Sequence, residues 1–149
     1  MKGEQTGGCL CGAVRYILRD GMRLNPYACH CTDCQSRTGT AFSEHMLFME
    51  NDIEIEGELD VGNYEQPSGA RSRIFGCAAC KARIYAVTDN RSGLASLRCG
   101  TLDNSAQFVP ARHVWVQSKQ PWITLPADSI FMDQQPRSGE AWTEFLGIA

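Results

Sequence analysis

Eight cysteines fall at four places in 149 residues: Cys9-x-Cys11, Cys29-x-Cys31-x-x-Cys34, Cys77-x-x-Cys80, and Cys99 alone. Thiols this crowded must bridge, ligate or react. Disulfides fit poorly, because a CxC pair cannot close on itself without strain. The opening stretch MKGEQTGGCLCG also lacks the apolar run of a signal peptide, so the expected compartment is the reducing cytoplasm. Metal binding fits well, since short loops with paired cysteines converge naturally on one ion. Thiolate is a soft ligand and zinc accepts any tetrahedral arrangement, so two zinc ions per chain are expected, with iron–sulfur chemistry the alternative that the ligand type allows.

The remaining composition narrows the partners. A formal charge of -3 with scattered arginines gives no electrostatic footprint for nucleic acid. With 43% apolar and 21% charged residues, and no apolar run near the ~20 residues that span a bilayer, no membrane partner is expected. The length suits one domain, residues 1–149.

Short β-rich runs alternate with turn residues: AVRYIL (13–18), MLFM (46–49), IEIEG (53–57), RIYAV (83–87), SLRC (96–99) and RHVWV (112–116). The alternation at Ile53, Glu54, Ile55 and Glu56 places both isoleucines on one sheet face. Two short helices are predicted. One covers SGEAWTEFLGIA, capped by Ser138 with Trp142, Phe145 and Leu146 at helical spacing, and the other is a turn around Asp33 to Gly39. The expected fold is mainly β: several short antiparallel sheets around two metal sites, with few short helices.

Spacing divides the ligands. CxC plus CxxC supplies four thiolates from distant loops, so Cys9, Cys11, Cys77 and Cys80 are assigned to a closed structural zinc site. Strand-like residues flank the CxxC in RSRIFGCAACKARIY, as in a hairpin turning around a metal. Cys29, Cys31 and Cys34 give a second zinc three ligands from one loop, the pattern of a catalytic site with an open position. Cys99 either swings in as a fourth ligand or lies apart as a small buried residue.

The motifs GGCLCGAVRY, CHCTDCQSRTGTAFS, the later CxxC, GTLD, and PARHVWV with its following WITL together resemble the glutathione-dependent formaldehyde-activating enzyme family, from about Cys9 to Leu125. The resemblance implies an Mss4-like fold with two zinc ions. It matches Cys9, Cys11, Cys77 and Cys80 to the structural zinc, and Cys29, Cys31 and Cys34 to the catalytic one. It further implies a carbon–sulfur lyase that joins glutathione, or a similar small thiol, to formaldehyde or another small aldehyde. The family's CxxC is usually followed by Gly. Lys81 stands there instead, so the turn must hold a side chain.

At an open zinc, a thiol would ionise and attack an aldehyde carbon, and the reverse would split the same C–S bond. His30, between two ligands, either relays a proton or hydrogen-bonds a zinc sulfur, or else simply packs or faces solvent. Arg37 either binds a substrate carboxylate or is a solvated or structural arginine. His45 and His113 are expected on strand faces. Trp115 and Trp122 are expected in the core, with a pocket lining as the alternative. The competing class is a non-enzymatic zinc module or protein-interaction domain with both sites closed.

Overall fold

A computed structural model of the chain describes residues 3–19, 25–66, 69–91 and 93–148. In chain order the elements are β1 (Gln5–Gly8), β2 (Arg15–Leu18), β3 (Tyr27–Cys29), α1 (Thr32–Thr38), β4 (Ser43–Met49), β5 (Ile53–Glu56), β6 (Leu59–Glu65), β7 (Arg71–Cys77), β8 (Arg83–Thr88), β9 (Leu94–Arg98), β10 (Arg112–Val114), β11 (Ile130–Phe131) and α2 (Gly139–Leu146). The fold is mainly β with two α-helices among the described residues, as the short β-rich runs foretold. Strands β1, β2 and β5 form a three-stranded sheet, and the other eight follow the order β11-β10-β3-β4-β9-β8-β7-β6. Pairing is antiparallel except where β10 runs parallel to both β3 and β11.

The large sheet buries two cores, one on each face, because successive side chains of a strand point to opposite sides. Along β4, Met46 and Phe48 enter one core while Leu47 enters the other. The first core lies under the small sheet: Tyr16 and Leu18 of β2 are buried in it, and Ile53 and Ile55 of β5 pack against it from one side, as their alternation required. The second core lies on the opposite face and is closed by α2, whose Trp142 and Leu146 pack with Tyr27, Leu47 and Val114.

Both helices end as their sequences dictate. Ser138 Oγ accepts the amide of Ala141 at 3.1 Å, and Gly147 leaves α2 in the left-handed region, where glycine carries no Cβ penalty. The first helix ends the same way at Gly39. The RHVWV run stops being a strand at Val114, because Trp115 adopts φ 59° and a 3₁₀ turn follows. Trp115 still packs against the second core, its Nε1 donating to Gln135 Oε1 at 2.9 Å. Trp122, expected inside, is 74% exposed; it lies in an irregular turn outside any strand, so no sheet face draws it inward.

Candidate metal centre

Two groups of sulfurs converge, and within each the ligand atoms lie within 4.8 Å of one another: Cys9, Cys11, Cys77 and Cys80, and separately Cys29, Cys31 and Cys34. All eight cysteines are free thiols, so no disulfide competes for them.

The first group is made by two turns. One follows β1, and the other is the β7–β8 hairpin, where the Lys81 amide donates to the Cys77 carbonyl at 2.9 Å. Closing that turn puts Lys81 at φ 66°, a conformation that disfavours side chains. Its ammonium ion-pairs with Asp60 of the neighbouring strand. Backbone amides point at the sulfurs: Val14 N–H at Cys9 Sγ, 3.2 Å, and Cys80 N–H at Cys77 Sγ, 3.4 Å. The Val14 amide, helped by thiol donors nearby, draws Cys9 down to about 6. Against the pull of the Ala13 amide, donation to Cys9 and desolvation push Cys11 up to about 11.

The second group is local. Cys29 ends β3 on the face of the second core, Cys31 caps α1, and Cys34 sits in its first turn with its amide on Cys31 Sγ at 3.2 Å. Hydrogen bonds from Cys29 and Cys34 draw Cys31 down to about 3, while donation to Cys31 and to Cys34, together with burial, raises Cys29 far above a free thiol. One sulfur takes the charge and its neighbours keep their protons. That is how like charges a few ångströms apart must titrate in the absence of a cation. A metal ion is the partner that would let all of them ionise, so both donor sets fit one.

Cys99 does not join the second group. It is fully buried in the first core with Tyr16 and Leu102, and burial drives its thiol well up. The reason is strand geometry. Arg98 pairs with His45 across β4–β9 and sits on the second core's face, so the next residue turns to the first core. No His, Asp or Glu among the described residues completes the three sulfurs either.

The same alternation governs His30. Cys29 faces the second core, so His30 turns the other way, fully buried, with Nε2 3.0 Å from His113 Nδ1 and its ring against Phe42. Its ring is hydrogen-bonded to no sulfur. His113 faces the same side, and His30 Nδ1 and His113 Nε2 have no partner among the described residues. Desolvation lowers both, His30 to about 4. His45, also buried, accepts Arg98 Nη1 at 2.9 Å and the Ser96 hydroxyl at 2.7 Å through Nδ1. Its proton therefore sits on Nε2 and the ring is neutral.

Arg37 follows Cys34 in the same helix, and the fold brings Arg83 of β8 and Arg98 of β9, both distant in sequence, near Cys34 as well. Arg37, one turn along α1, lies 3.8 Å over the Tyr64 ring. Arg98 is a mostly buried guanidinium with no carboxylate partner among the described residues; desolvation lowers its pKa, and a charge at Cys34 opposes that shift. Arg83 is placed by a β-bulge. Register shifts between Phe75 and Gly76, so Arg83 faces Gly76 while Tyr85 faces Phe75, and Arg83 turns onto the second core's face beside Cys34. Sequence reading found Arg37 but neither Arg83 nor Arg98, since no local pattern marks them.

A β protein with two thiol groups, one of four cysteines and one of three, has two donor sets that could each hold a metal ion. The family model described as "Glutathione-dependent formaldehyde-activating enzyme" matches residues 4–118, and the chain belongs to that family. No curated protein matches it. Among solved structures, the crystal structure of a Rhodobacter sphaeroides protein is similar at 17% identity and a TM-score of 0.49, covering 66% of this chain and 88% of that one. No helix among the described residues is long and apolar enough to cross a membrane.

Proposed function

We propose that the chain is a zinc-dependent carbon–sulfur lyase of the glutathione-dependent formaldehyde-activating type, making or splitting the bond between a small thiol and a small aldehyde. The observation that carries this is the three-sulfur group of Cys29, Cys31 and Cys34, to which no fourth protein ligand comes among the described residues. Zinc held by three thiolates keeps an open position and promotes ionisation of a thiol at neutral pH. The chemistry balances simply: a thiolate sulfur forms a bond to the aldehyde carbon, the carbonyl π pair moves to oxygen, and oxygen takes a proton. Arg98 supplies fixed positive charge beside Cys34, so the three thiolates need not repel one another unopposed. His30, on the side of the chain opposite the sulfurs, is proposed to move a proton through its pair with His113.

Cys9, Cys11, Cys77 and Cys80 form the structural site in this reading, closed by four sulfurs. The whole chain, 1–149, is read as one such domain, because α2 lies beyond the matched residues yet completes the second core. Eight free thiols suit a reducing cytoplasm.

The test is cobalt substitution. Co²⁺ bound to thiolates absorbs in the visible, and its bands report the ligand set. Titrating glutathione at constant bound cobalt is expected to change those bands saturably in the wild type and not in Cys31→Ser. An unchanged wild-type spectrum would sink the lyase reading and leave a structural zinc module or protein-interaction domain.

A further inference from the structure

A cavity of about 420 Å³ opens on the second core's face of β6, β7 and β8. Its floor is bare backbone: Gly62 of β6 opposes Ile74, and Gly76 of β7 opposes Asp60. A Cβ added at Gly62 would meet nothing closer than the Ile74 carbonyl at 3.9 Å, so the missing side chain is what leaves the space. The walls are Arg37, Tyr64, Lys81 and Arg83. Tyr64 joins this wall to the second cysteine group by donating its hydroxyl to Asp33, the residue before Cys34.

The cavity carries unbalanced positive charge. Of its charged lining, Asp60 is neutralised by Lys81, while neither Arg37 nor Arg83 makes an ion pair among the described residues. Arg83 Nη1 is buried with no partner among the described residues. A buried guanidinium N–H left unpaired is costly, and two guanidinium groups facing one cavity repel. A carboxylate is the group that answers both, since its two oxygens match the planar fork of arginine.

We propose that this cavity is a carboxylate-binding subsite, with Arg83 and Arg37 as its anchors, which takes the acid end of the thiol substrate whose sulfur goes to the Cys29, Cys31 and Cys34 group. The thiol end rests on the lyase reading; the acid end rests on the cavity alone. Substrates with a carboxylate several bonds from the sulfur are thereby favoured over neutral thiols.

The experiment compares three probes on the cobalt-loaded protein: glutathione, 2-mercaptoethanol, which has no carboxylate, and S-methylglutathione, which has carboxylates but no free thiol. Arg83→Gln is expected to weaken glutathione by about 10-fold or more while leaving the response to 2-mercaptoethanol within about twofold. Gly62→Val keeps both arginines and fills the floor, so it should weaken glutathione similarly and serves if Arg83→Gln folds poorly. Calorimetry with S-methylglutathione isolates the acid end: binding to wild type that is lost in either variant supports the subsite even if neither thiol alters the cobalt bands, a result that would remove the lyase reading only. Glutathione and S-methylglutathione affinities unchanged in both variants would overturn the subsite.

Discussion

Arg98 shows how one residue can serve a site it does not ligate. Its guanidinium gives up water for one hydrogen bond to a neutral His45 and for proximity to Cys34. Burying a cation without a carboxylate is unfavourable for folding, and an apolar residue of similar length often does as well or better. Arg98→Met is therefore expected to leave the melting temperature unchanged or raised, yet to weaken metal at the second group about 10-fold or more. Competition against a chromophoric chelator, with the first site as internal control, measures this; equal loss from both sites would contradict it. At the same scale, the cysteine partition was legible because CxC and CxxC fix which sulfurs can meet. Arg83 and Arg98 were not legible, since a bulge and a cross-strand pair bring them to Cys34 and neither leaves a local mark. Lys81 stands where the family usually has Gly, and the turn does hold its side chain, as a left-handed lysine paired to Asp60.

Among the elements, α2 has the clearest division of labour. Trp142 is 3% exposed and its ring lies 4.8 Å from that of Tyr27, on the strand that delivers Cys29. Trp142→Ala should cost about 3–5 kcal/mol in a denaturant melt of the zinc-loaded protein; a loss below ~1 kcal/mol would mean that the helix does not brace β3. The helix was readable from its cap and its spacing. Strand β6 was not, because Gly62 and Asn63 interrupt its alternation, and those same small or polar residues make the cavity. The RHVWV run misled at Trp115, where tertiary packing overrides strand propensity.

For the whole molecule, the two cysteine groups constrain the chain very differently. The first joins Cys11 to Cys77, 66 residues apart, whereas the second spans a single loop. Closing the longer loop restricts the unfolded chain by about 2 kcal/mol more. With saturating zinc, Cys11→Ser should therefore lower the melting temperature roughly 4–8 °C further than Cys34→Ser does. Equal shifts would show that the first ion does not hold the two sheets together.

The same separation sets an order in time. On a ribosome releasing roughly 5–20 residues per second, the Cys29 to Cys34 loop can take up an ion soon after it emerges. Cys9 and Cys11 must wait until the β7–β8 hairpin has followed them out. A nascent chain stalled before Cys77 would carry one complete donor set and one half-set, with two exposed thiols open to scavenging by other metals.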